Sequence, residues 1–290
     1  MGRLAVFVGA FAISCVWAET RGAAADDGRS AELLVAARAA LGGPKLDAVR
    51  TLSASGPFRR IVGDREMEGD VELDLALPDQ VKRTEHVGLP GGPTMTRITA
   101  LNGGEFWTDT TNRGGGFMTR FPGTDGRGPS EADRERFRQM QQQRLERELQ
   151  RYQLAFLLRS AVAAAHSGTA QADDGTAHVL DFTSDSSTVR LFLDQGTHLP
   201  LMLTYEDVMP RVMLRQGRRG PPDAAELERL RSEPPRKVAF ELRFDDYRAV
   251  DGVKLPHRLT LGASGKPMDE WTIERFKVNP TFKANAFAKP

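Results

Sequence analysis

Between Val238 and Phe244 the side chains alternate: Val238, Phe240, Leu242 and Phe244 are large and apolar, while Ala239, Glu241 and Arg243 between them are small or charged. A period of two places one set on each face of a β-strand, so this run is a strand with a buried and a solvated face. Val250-Asp251-Gly252-Val253 follows, and Asp-Gly tolerates the positive φ angles of a tight hairpin. The next segments, VKLPHRLTL and EWTIERFKVNP, continue the pattern. The last third of the chain is therefore an antiparallel meander.

The same reading extends upstream. Strands are predicted over 51–62, 67–77, 80–87, 94–101 and 105–109, and again over 178–183, 188–194 and 199–206. In the second of these Val71, Leu73, Leu75 and Leu77 face one way and Glu72, Asp74 and Ala76 the other, which predicts one wet side. Asn102-Gly103-Gly104 and Gln195-Gly196-Thr197 mark turns. Helices precede each meander. Ser30 is the predicted N-cap of the first, with Leu33, Leu34, Ala37 and Leu41 at helical spacing before Gly42-Gly43-Pro44; Leu46 and Val49 form a further short turn. Glu131 to Gln150 is almost wholly charged or amide and reads as a solvated, projecting helix. From Tyr152 to Val162 the pattern turns apolar and should pack on the sheet.

The N-terminus reads as an address. Arg3 supplies a positive charge, 4–18 is apolar and uncharged, and Ala23-Ala24-Ala25 has the small residues of a cleavage site, so 1–25 is expected to be a signal peptide. The apolar run falls short of the roughly 20 residues of a spanning helix. A periplasmic protein, not an integral membrane one, is the expectation. The only cysteine, Cys15, lies in this leader, which excludes a disulfide scaffold and thiol catalysis from the mature chain. Ala12-Ile13-Ser14-Cys15 loosely resembles a bacterial lipobox, so lipid anchoring through Cys15 is the lesser alternative.

Charge separates few options. The chain carries 40 Lys and Arg against 39 Asp and Glu, and loss of Arg3, Arg21 and Glu19 leaves it formally neutral. Neutrality gives no electrostatic ground for nucleic acid as a partner. Residues 26–290 are expected to form a single domain interrupted at 112–150 and 209–235, stretches rich in Gly, Pro and charge and expected to dock loosely. The second holds Arg211, Arg215, Arg218 and Arg219 ahead of a short acidic helix, a cluster more consistent with a solvated loop than a phosphate site.

No catalytic set emerges. His86, His166, His178, His198 and His257 lack the short spacing that puts two ligands on one metal. Asp245, Asp246 and Asp251 lack the alternation and central glycine of a calcium loop. Neither a nucleophile elbow nor a phosphate loop is present. The expectation is a protein without enzymatic activity, with no catalytic residue, metal or cofactor.

The order helix, meander, helix, meander, with the segments Ala39-Ala40-Leu41-Gly42-Gly43, Leu101-Asn102-Gly103-Gly104-Glu105-Phe106-Trp107, Leu191 to Pro200, Tyr247 to Pro256 and Phe276-Lys277-Val278-Asn279-Pro280, resembles the bacterial outer-membrane lipoprotein-sorting proteins of the LolA/LolB type. The resemblance implies an α+β fold: a curved antiparallel sheet, an incomplete β-barrel, covered on one side by helices, whose apolar interior takes up the acyl chains of a lipid or lipoprotein. It transfers no individual functional residue. Independently, a curved sheet with one apolar face leaves a concave pocket wherever helical cover is incomplete. Trp107, Met202, Tyr205, Phe240 and Trp271 are the candidate ligand-binding residues, with ordinary core packing as the competing reading. The alternative function is an envelope sensor or adaptor that binds a partner protein through the projecting helix and the arginine loop.

Overall fold

The structure, a computed structural model, describes residues 26–62, 65–88, 94–113, 131–172, 175–184, 187–209 and 236–290. The expected signal peptide with Cys15, the interruption over 114–130, and the arginine loop with its acidic helix lie outside these residues.

The chain opens with α1 (Asp26–Leu41) and the single turn α2 (Pro44–Asp47), then runs through β1 (Thr51–Val62), β2 (Arg65–Ala76), β3 (Gln80–Gly88), β4 (Thr94–Asn102) and β5 (Glu105–Arg113). The long α3 (Glu131–Leu157) leads into a second series: β6 (Ala164–Ala172), β7 (Gly175–Ser184), β8 (Ser187–Asp194), β9 (Pro200–Val208), β10 (Lys237–Val250), β11 (Val253–Ala263), β12 (Lys266–Thr272) and β13 (Arg275–Val278). Among the described residues these strands make one antiparallel sheet ordered β5-β4-β3-β2-β1-β12-β11-β10-β9-β8-β7-β6, with β13 also on β1. It is not closed; β5 and β6 are its two edges. Each meander pairs internally, and the β1–β12 ladder, Phe58 opposite Trp271 and Arg60 opposite Asp269, joins them.

Turn chemistry sets the register. Asp251 and Gly252 have φ of 53° and 80°, which brings Val250 opposite Val253 as predicted. Asp194 fixes the β8–β9 turn by accepting from the Gly196 N–H at 3.1 Å and the Thr197 N–H at 2.6 Å.

The sheet curls, so that β4, β5 and β9 all reach α3, while α1 covers β6 and β11 on the same side. Leu33, Ala37 and Leu41 of α1 enter the core with Leu73, Leu75, Leu191 and Leu203. Phe156 of α3 is fully buried, stacked on Tyr152 at 5.8 Å and edge-on to Phe276 at 5.8 Å.

Four local expectations need correction. α1 begins at Asp26, and Ser30 is buried inside it instead of capping it. α3 stops at Leu157, before Val162, because Leu158 adopts a left-handed φ of 48°. The packed part of α3 begins earlier than Tyr152: Leu145 and Leu149 are already buried, whereas Phe137 and Met140 are exposed. β6 forms where the sequence shows no strand pattern.

The wet face of β2 is also less wet than expected. Asp74 is buried and lies 3.3 Å from Lys82 Nζ. The C-terminal segment covers it: Lys82 Nζ donates to the Ala286 carbonyl at 3.2 Å and sits over the Phe287 ring.

Candidate functional site

Inward positions of neighbouring strands line up in rows across the curled sheet. On β9–β12 those rows are apolar: Tyr205, Phe240 and Ala263; Leu203, Leu242 and Leu261; Leu259 and Trp271, continued by Phe58 of β1. On β2–β4 they carry charge, with Glu85 between Val71 and Arg97, and Arg83 between Leu73 and Thr99. Between these walls and the underside of α3 lies a cavity of about 830 Å³, a size typical of ligand sites.

The polar half is an ion-pair network. Arg60 bridges Glu85 Oε1 and Asp269 Oδ2, both at 2.8 Å, and Arg83 donates to Glu85 Oε1 at 2.9 Å and Glu148 Oε1 at 3.0 Å. The Tyr152 hydroxyl donates to Glu148 Oε1 at 2.7 Å. On the adjoining flank of the helix, Arg147 and Arg151 each reach Asp207 at 3.2 Å. Burial alone would raise the Glu85 pKa; the guanidiniums of Arg83 and Arg60 overcome it and hold the carboxyl at about 2. Burial likewise opposes ionisation of Glu148, and Arg83, the Tyr152 hydroxyl, Arg151 and Arg144 lower its pKa against that. The same burial, with Glu148 beside it, lifts the Tyr152 phenol well above its usual value, so it remains a donor.

Two halves of such different character meet at Tyr205. Its ring stacks on Phe240 at 5.4 Å on one side and carries the Arg151 guanidinium 4.0 Å from its centroid on the other. Trp271 Nε1 and Arg83 Nε are buried with no hydrogen-bond partner among the described residues.

Of the five residues singled out from sequence, Tyr205, Phe240 and Trp271 line this cavity together. Met202 does not. It is three positions from Tyr205 in one strand, and odd spacing puts the two on opposite faces; Met202 lies beside Phe192 and Arg243 on the outer side. Trp107 is outside as well, in the outward row Asp74, Lys82, Ala100 and Trp107, where its Nε1 donates to the Phe287 carbonyl at 2.8 Å. Beside its apolar wall the interior also carries an ionic one.

The charged lining, Arg60, Arg83, Glu85, Arg97, Arg144, Glu148 and Asp269, lies outside the set of candidates that the sequence offers. A signal existed: Val81, Arg83, Glu85 and Val87 share one face of β3, so two charges stand in phase with two buried valines.

The histidines are less scattered than their spacing implies. His166 on β6 and His178 on β7 lie with ring centroids 5.7 Å apart; desolvation and the nearby charges of Arg29, His166 and His198 lower the His178 pKa. Among the described residues no group of three or more His, Cys, Asp or Glu is placed to hold a metal ion. No helix among them is long and apolar enough to cross a membrane.

No family model matches the chain, and no curated protein matches it. Solved structures with a similar course include a domain named for outer membrane lipoprotein sorting from Vibrio parahaemolyticus (11% identity, TM-score 0.44, covering 89% of this chain and 97% of that one). A LolA superfamily protein from Nitrosomonas europaea is similar at 11% identity and TM-score 0.43, over 87% of this chain and 97% of its own. A DUF1329 family protein from Desulfovibrio piger matches at 11% identity and TM-score 0.42, over 90% and 96%. The first two carry the family name of the sequence resemblance. At this level of likeness no role passes to any residue of this chain.

Proposed function

We propose that the protein is a non-enzymatic periplasmic carrier that holds an acyl chain, free or on a lipidated protein, in the cavity beneath α3. The observation that carries the reading is the apolar wall: Tyr205, Phe240, Leu242, Leu259, Leu261 and Trp271 face an open volume of about 830 Å³ instead of a filled core. The sequence resemblance to lipoprotein-sorting proteins points the same way. Each methylene that leaves water for that wall contributes about 0.8 kcal/mol, so an acyl chain needs only part of its length buried to bind tightly.

Titration with a fluorescent fatty acid tests this, with an expected dissociation constant in the micromolar range or below. Native mass spectrometry of the protein from an envelope fraction should show a co-purified lipid mass. If saturating lipid changes neither tryptophan emission nor thermal stability, the carrier reading is wrong, because a ligand specific to the folded state must stabilise it. The adaptor reading would then lead, resting on the exposed N-terminal half of α3 with Phe137 and Met140 at its surface.

A further inference from the structure

Six cations and four carboxylates line the cavity: Arg60, Arg83, Arg97, Arg144, Arg151 and Lys266 against Glu85, Glu148, Asp207 and Asp269. Each of the four carboxylates already pairs with a cation, with Asp269 Oδ1 alone among their buried oxygens left without a hydrogen bond among the described residues. Glu85 and Asp269 serve Arg60 and Arg83, Glu148 serves Arg83 and Tyr152, and Asp207 serves Arg147 and Arg151. Among the described residues Arg97 and Arg144 have no carboxylate within ion-pair distance, and both guanidinium-bearing side chains are accessible from the cavity. Arg97 stands opposite Glu85 across the β3–β4 ladder, but both oxygens of that carboxylate already accept from Arg60. Arg144 lies one helical turn from Glu148, whose Oε1 already accepts from Arg83 and Tyr152.

Resting on the carrier reading above, we propose that this cavity selects amphiphiles with an anionic headgroup: the phosphate or carboxylate sits between Arg97 of β4 and Arg144 of α3, and the acyl chain runs along Phe240, Leu261 and Trp271. The two guanidiniums come from different elements and converge on one space. Each is a planar fork suited to bidentate capture of a phosphate or carboxylate. Their mutual proximity is unfavourable in the empty cavity: burial lowers the Arg97 pKa, Glu85 across the ladder opposes that, and the charges of Arg144, Arg83 and Arg60 lower it further. A bound anion relieves that repulsion, whereas a neutral or cationic headgroup does not. The apolar wall lies on the far side of Tyr205, so head and chain bind in different halves.

Three single-chain ligands of equal length decide it: dodecyl phosphate, dodecyl maltoside and dodecyltrimethylammonium, each below its micellar concentration, with inorganic phosphate alone as a fourth arm, measured by calorimetry. Dodecyl phosphate should bind about tenfold or more tightly than the maltoside, with the ammonium weakest. In Arg97→Gln/Arg144→Gln the preference should collapse while maltoside affinity changes less than about twofold. Phe240→Ala should weaken all three chains alike, and the wild-type ranking stands even if the double variant folds poorly. Equal affinity for phosphate and maltoside overturns the headgroup proposal and leaves the carrier intact. Inorganic phosphate binding as well as dodecyl phosphate overturns it too, since the site would then be for a free anion. If no amphiphile binds, both readings fall.

Discussion

Glu85 sits at the centre of the cavity's charge network, and its behaviour with pH is fixed by that position. Its carboxyl is held at about 2 in the folded protein, below the ordinary value of 4.5. A depressed pKa contributes stability that is fully present above the unfolded value and is lost as pH falls from about 4.5 towards 2. Glu85→Gln should therefore flatten the acid limb of thermal stability in that window. At neutral pH it should cost roughly 3 kcal/mol, the low end for removing one partner of a buried pair, as read by urea melts. Phe240 and Phe156 supply a contrast between cavity and core. Phe240 belongs to a small cluster with Val238 and Ala263 beside the open volume, while Phe156 is fully enclosed in the main core. Phe156→Ala should lose about 3–5 kcal/mol; Phe240→Ala should lose clearly less and instead weaken acyl binding. Equal losses of stability without loss of ligand would make Phe240 plain core.

Strand-level features were legible wherever large apolar residues alternated with charge and a turn had its own chemistry, as from Val238 to Val253. β6 escaped because its inward positions, Ala164 and His166, are small or polar and a bulge after His166 breaks the alternation, so no apolar stripe appears. The packed stretch of α3 escaped for the opposite reason: Arg144, Glu148 and Arg151 face a polar chamber, so a buried stripe reads as a solvated one. Parity along β9 would have removed Met202 from the candidate set; nothing in the sequence placed the C-terminal segment over Trp107. One element boundary yields a sharp test. β1 meets β12 through Phe58 and β13 through Ala54, and between them Gly56 faces the break at Ile273-Glu274, where the Glu274 N–H donates to the Ser55 carbonyl at 2.9 Å. A Cβ at Gly56 would overlap the Thr272 carbonyl oxygen. Gly56→Ala should cost about 3 kcal/mol, the upper part of the overpacking range, measured by chemical denaturation. A neutral result would mean that the two strands can part without loss.

Across the whole molecule, ligand and fold should be linked. At a lipid concentration of 100 times the dissociation constant the folded state gains about 2.7 kcal/mol, visible as a rise in melting temperature that Arg97→Gln/Arg144→Gln should reduce for dodecyl phosphate alone. Export belongs to this scale also: intact mass of the periplasmic form should correspond to a chain starting near Asp26, and a product retaining Met1 would remove the periplasmic assignment. The sheet order then sets a timetable for synthesis. β1 is made among the first strands, yet its second neighbour, β12, is made almost last. Until residues 266–272 arrive, β1 presents a bare row of backbone donors and acceptors, which is the edge at which unfinished chains pair with one another. A nascent chain ending at Ala263 should therefore aggregate, as read by light scattering, where the full chain does not.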